Sequence, residues 1–124
     1  MGNSNVEALR LVNAVAGAGA GADIDNPSGK AAHVFIDVTS ITGTTPSVTF
    51  TVQGKDPVSG KYYAILASAA ISANGTTVLK IGPGLTAAAN SVANDVMPRK
   101  FRIAWTSAGT VTDLDATVGV SLIG

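Results

Sequence analysis

His33 is the only histidine in a chain that has no cysteine, so acid–base or nucleophilic chemistry near neutral pH would have to start from this one imidazole. A catalytic triad needs a nucleophile, a base and an orienting group that converge. His33 falls in the middle of an alternating run, on the same face as Asp37 but two pleats away, and Ser40 and Ser47 are close to it only in sequence. That spacing describes a structural or solvent-facing histidine. A zinc site would have to take its remaining ligands from carboxylates, an unusual set.

The other chemical candidates fail on context. Gly17, Gly19 and Ala22 match the letters of the dinucleotide fingerprint, but Asp23-Ile-Asp-Asn-Pro27 follows where a helix must open to meet a pyrophosphate. Gly29-Lys30 resembles the end of a phosphate-binding loop, yet Ile24 replaces its first glycine and Ala31 its hydroxyl residue. Asp23, Asp25 and Asn26, and likewise Asp113 and Asp115, offer oxygen ligands without the spacing of a calcium loop. No spacing among the eight acids favours a glycosidase pair. The Asn74-Gly-Thr76 sequon matters only in a secreted protein. Trp105 alternates with Phe101 and Ile103, which places it in a core or a buried interface rather than on a sugar-stacking platform. The expectation is of no catalytic residue, no cofactor, no metal and no enzymatic activity.

Eight basic and eight acidic residues cancel, and a neutral chain lacks the clustered cations that phosphate backbones require. Nucleic acid is therefore not an expected partner. Neither is a membrane: no apolar run reaches the roughly 20 residues of a spanning helix, and no basic region precedes an apolar one at the start. Met1-Gly2 would suit myristoylation, but Val6 stands where Ser or Thr is required. The sequence thus reads as that of a protein made and used without secretion. Only 13% of residues are charged while 46% are hydrophobic. A solitary soluble domain usually has about a quarter charged, so part of this surface is expected to need a partner.

A single domain of 124 residues can build its own core. Residues 1–30 read as a flexible N-terminal arm. Val6, Leu9, Leu11 and Val15 give a short mixed pattern, helical or extended, and are the candidate partner contacts. The Gly/Ala run from Ala16 to Ala22 has almost no side chain to bury, while ordering costs ~1–2 kcal/mol per residue. An arm of this kind is expected to pack on a neighbouring subunit or another surface.

Residues 31–124 read as an all-β domain. Ala32, Val34, Ile36 and Val38 alternate with His33, Phe35, Asp37 and Thr39, and Ser40 to Pro46 reads as a turn. Val48, Phe50 and Val52 begin a hairpin that returns at Tyr62–Leu66 through a Gly/Pro/Asp tip. Asn74-Gly75 signals a second, two-residue hairpin between strands at 69–72 and 76–81. Leu85 to Pro98 is a connection with room for one helical turn at 86–93. Strands then follow at 99–106 and 113–124. The sum is about seven strands in an antiparallel β-sandwich or jelly-roll-like barrel, and the last strand, with only Asp115 to discourage pairing, reads as an open edge.

Three stretches carry a resemblance: Val48 to Leu66 (VTFTVQGKDPVSGKYYAIL), Pro83 to Asn90 (PGLTAAAN) and Asn94 to Arg99 (NDVMPR). The chain resembles small virion proteins of tailed bacteriophages, head decoration (cement) proteins in particular, over residues 33–124. The resemblance implies a non-enzymatic β-rich module, often a homotrimer, that binds the major capsid protein on the outside of the head and stabilises the shell. Its location would be the virion, with the host cytoplasm during assembly. Tail or head–tail connector proteins share this composition, and a carbohydrate-binding β-sandwich, as on a phage or bacterial surface, is the rival class. That rival should show several exposed aromatics, and six aromatics in all, mostly on inward faces, count against it.

Overall fold

A computed structural model describes residues 3–26 and 29–123. Met1-Gly2, the myristoylation candidate, and Pro27, Ser28 and Gly124 lie outside the described residues. The chain is all-β, and among the described residues there is no helix. Two long strands form its spine, β4 (Ala31–Lys55) and β8 (Lys100–Ile123). They pair antiparallel from Ala31 opposite Ile123 to Gly54 opposite Phe101.

The six other strands among the described residues flank this ribbon. β1 (Asn3–Ala14) pairs with the second half of β8, while β2 (Ala18–Ala20) and β3 (Ile24–Asp25) pair with its first half. β5 (Tyr62–Ala67) returns along the second half of β4, closing the hairpin read from the sequence. β6 (Gly75–Gly82) runs along the first half of β4. β7 (Val92–Asn94) joins β6 in parallel, so the sheet is mixed rather than wholly antiparallel. The connection from Pro83 to Ser91 brings β7 back in the direction of β6, as a parallel partner requires. The path β1-β8-β4-β6-β7 is open.

Alternation explains the burial. Ala32, Val34, Ile36 and Val38 of β4 are buried, as are Val48, Phe50 and Val52 further along it. β8 contributes Phe101 and Ile103 from its first half and Leu114, Ala116, Val118, Val120 and Leu122 from its second. Both halves feed one hydrophobic cluster. A fully buried Val, Leu, Ile or Phe contributes roughly 1.5–3 kcal/mol, so this shared core is what holds the two halves of the ribbon together. The two ends of the ribbon meet at Asn26. Its buried side-chain amide donates to the carbonyls of Gly29 (2.8 Å) and Pro98 (3.1 Å), and the Met97 amide donates to the Lys30 carbonyl at 3.0 Å.

Several expectations change in the structure. Ser40–Pro46 is not a turn that ends a strand, and the gap between the strands expected at 99–106 and 113–124 is itself strand. β4 and β8 run straight through them, with register shifts at Val38/Ser40, Thr42/Gly43 and Thr44/Ser47 that let the ribbon bend without breaking. Gly109 makes this possible. Its φ is +69°, and a Cβ there would collide with the Thr45 carbonyl oxygen. Asn74-Gly75 does not make a two-residue hairpin either: Val38 pairs with Gly75, and only Ile71 bridges to Val48. Residues 68–74 therefore carry the chain from one half of β4 to the other. No helical turn forms at 86–93, where Ala88 and Val92 exchange backbone hydrogen bonds at 3.0 Å.

The N-terminal segment also takes a definite place. Between Asn3 and Ala14 it is β1, paired with β8 of its own chain. The Gly/Ala run offers little side chain, as expected, but its smallness permits close approach. Gly19 lies against the Trp105 indole, and Gly21, whose Cβ would strike the Ala8 carbonyl oxygen, donates its amide to Ile103 at 2.9 Å. β8, expected as an open edge, is consequently central, covered by β1 on one side and β4 on the other.

Candidate functional site

The first half of the ribbon presents an outer face built from the residues that alternate with the core. His33, Phe35 and Asp37 lie on β4, Thr76, Val78 and Lys80 on β6, and Thr117, Gly119 and Ser121 on β8. Phe35 pairs with Val78 on one side and Gly119 on the other, and the two apolar side chains are 40% and 38% exposed. Because Gly119 has no side chain, a depression of about 520 Å³ opens beside Phe35, bordered by Val6 and Glu7 of β1. The His33 ring stands edge-on to Phe35, with ring centroids 6.2 Å apart.

The far end of the ribbon is polar. On the outer side of β4, β5 and β8, Asp23 accepts hydrogen bonds from Lys55 Nζ (2.8 Å) and from the Tyr62 hydroxyl (2.5 Å). The Lys55 ammonium and the Tyr62 hydroxyl together hold the Asp23 carboxyl below its usual range. The Arg102 guanidinium lies 3.5 Å from the centre of the Tyr62 ring and donates through Nε to Gln53 Oε1 at 2.8 Å. Nearby, Asp25 takes Arg99 Nε at 2.6 Å and faces Lys100 Nζ at 3.5 Å, and the arginine's hydrogen bond lowers its pKa. The adjoining groove, about 670 Å³, is floored by Pro57, Tyr63 and Pro98 and edged by Lys55, Arg99 and Lys100. The Tyr63 ring lies over the Cα of Gly54, space that any Cβ would fill.

The residues tested for chemistry are thus dispersed. Asp23 and Asp25, candidate cation ligands, face opposite cations, and Asn26 serves the backbone. Asp113 accepts from Ser40 Oγ at 3.3 Å and Asp115 from the Asn13 amide at 2.6 Å. Among the described residues no group of three or more His, Cys, Asp or Glu side chains is placed to hold a metal ion, and no helix is long and apolar enough to cross a membrane. Trp105 is partly buried against the core. Of the candidate partner contacts, Leu9 is buried and Val6 and Leu11 pack against the chain's own core, whereas Val15 is 60% exposed.

Sequence reasoning put Phe35 among outward residues without treating it as a contact, although a large aromatic at a solvent-facing position is itself the signal. It missed the cluster of Asp23, Gln53, Lys55, Tyr62 and Arg102 entirely. Those residues come from four separate strands or loops, and no local spacing betrays them. No family model matches the chain, and no curated protein does.

Proposed function

We propose that the chain is a non-enzymatic structural protein of a phage virion, a decoration protein that binds the major capsid protein on the outside of the head and stabilises the shell as a homotrimer. The folded-back ribbon is read as the two layers of a β-sandwich, with β4 and β8 passing from one layer to the other. The observation that carries the proposal is the outer face around Phe35, Val78 and Gly119. It carries a depression beside Phe35, is apolar at its centre and is polar at its rim, as a protein interface is. Shell binding needs such a face and no reactive group.

Particles test this directly. Virions lacking the protein should lose their DNA at lower temperature and in lower chelator concentration than complete ones, and equal resistance would refute the reinforcing role. Phe35→Ser, which leaves the core untouched, should reduce occupancy on the shell on the order of tenfold or more.

The groove with Tyr63 at its floor favours one second reading, a carbohydrate-binding module in which the exposed ring stacks on a sugar. Glycan-array binding abolished by Tyr63→Ala, together with absence of the protein from purified particles, would establish that reading instead.

A further inference from the structure

The neutral composition conceals a charge polarity. Every basic residue except Arg10 and Lys80 lies where the two ends of the ribbon meet: Lys30, Lys55, Lys61, Arg99, Lys100 and Arg102, set against Asp23, Asp25, Asp56 and Asp95, while Lys80 stands opposite His33 on the outer face that also carries Asp37. Towards the bend stand Asp37, Asp113 and Asp115, opposite Thr117, Thr42 and Ser40. Arg10, nearest to them, is paired with Glu7 at 2.6 Å. Among the described residues none of these three carboxylates is in an ion pair, and neither is Arg102. Eight strand steps of β8 from Asp115 to Ile123, roughly 25 Å at the usual rise, and six from Thr117, opposite Asp37, roughly 20 Å, separate the two regions, against a screening length of about 10 Å at 0.1 M salt. They act as separate poles.

The positive pole is also prepared for a carboxylate. Stacking on Tyr62 and the Nε bond to Gln53 fix the Arg102 plane, so that its terminal nitrogens can donate to a carboxylate with little further ordering. We propose that the occupant of this pole is a second copy of the chain, whose Asp37, Asp113 and Asp115 region docks on Arg102 and its neighbouring cations. Different surfaces meet in such a contact, so repetition builds a closed ring when the rotation allows it. This deepens the homo-oligomer reading above by naming its interface. It is tested on the isolated protein, so its failure is separate from any failure to reinforce a shell.

Sedimentation of the purified full chain at low and high salt is the experiment. The wild type should associate in 20 mM salt and weaken on the order of tenfold or more in 0.5 M salt. Arg102→Glu alone and Asp37→Lys/Asp113→Lys alone should each sediment as monomers, with circular dichroism and melting curves showing that both remain folded. An equimolar mixture of the two variants should associate again, since each reversed pole meets a complementary one. A wild-type monomer at low salt, association indifferent to salt and to both variants, or a mixture that stays monomeric would each overturn the proposal. Binding of purified capsid protein to Arg102 while the wild type alone remains monomeric would assign the pole to that partner instead, and would equally overturn it.

Discussion

At the scale of single residues, one tightly constrained position is a glycine that no chemical motif uses. Gly109 combines a left-handed backbone with a close approach to the Thr45 carbonyl. Alanine there faces both an unfavourable φ and a collision, and Gly109→Ala should lower stability by at least about 2 kcal/mol, read from the urea midpoint. Phe50→Ala provides the comparison from the core. The side chain is 1% exposed, and its loss should cost about 3–5 kcal/mol. If Gly109→Ala left the midpoint unchanged, the bend would not depend on that residue.

The acidic side chains make a pH prediction with a definite sign. Asp23 and Asp25 have folded-state pKa values below the ordinary 3.8, through Lys55 and Arg99 respectively. A carboxyl depressed on folding adds stability that is present above its unfolded pKa and is lost as pH falls through the folded value. Wild type should therefore be more stable than Asp23→Asn at pH 7, and the two should converge in acid below the folded pKa. These groups are solvent-exposed, so the difference should also shrink in high salt. A constant gap across the whole acid range would mean that packing, not charge, sets the effect of the substitution.

At the scale of elements, β1 offers the sharpest check. Its amides pair with β8, so in the free protein they should exchange slowly, with protection comparable to that of the β4–β8 pairs beside them. Rapid exchange of residues 3–14 would restore the picture of a loose arm. Leu9→Ala should cost about 2–4 kcal/mol if β1 is part of the core, and almost nothing if it is not.

The same strands show what was legible in the sequence. Alternation in Ala32–Val38, Val48–Val52 and Ala116–Leu122 located the core face correctly because burial on one side of a pleat leaves a period of two. The Tyr62–Leu66 return was legible because Pro57 and Gly60 define its tip. Continuity through Ser40–Pro46 was not legible, since glycine and threonine there signal a turn as readily as a bulge. Asn74-Gly75 misled for a related reason: local turn preference is weak against the pairing offered by β4. The Gly/Ala run was judged by the side chains it could bury, whereas its role is to let backbone lie close to Trp105 and Ala8. As for the site, the outward position of Phe35 was visible, but the juxtaposition of Asp23 with Arg102 exists only once the ribbon has closed.

For the whole molecule, the central ribbon has a consequence for how the protein comes into being. β8 comes last among the described strands, and β1, β2, β3 and β4 all take it as a partner. Residue 31 is bonded across to residue 123, so nearly every contact of the spine closes a long loop. A topology of this kind places folding in the slow range, milliseconds to seconds. During synthesis the first hundred residues can form little more than the β4–β5 hairpin and the β6 pairing, with the inner edges of β1 and β4 left unsatisfied until β8 emerges. A nascent chain stalled at residue 99 should be cleaved readily by protease, and one extended beyond residue 124 by a linker long enough to clear the ribosome should resist it. Folding would then wait for β8 and occur in one step, when that strand inserts between partners made long before it.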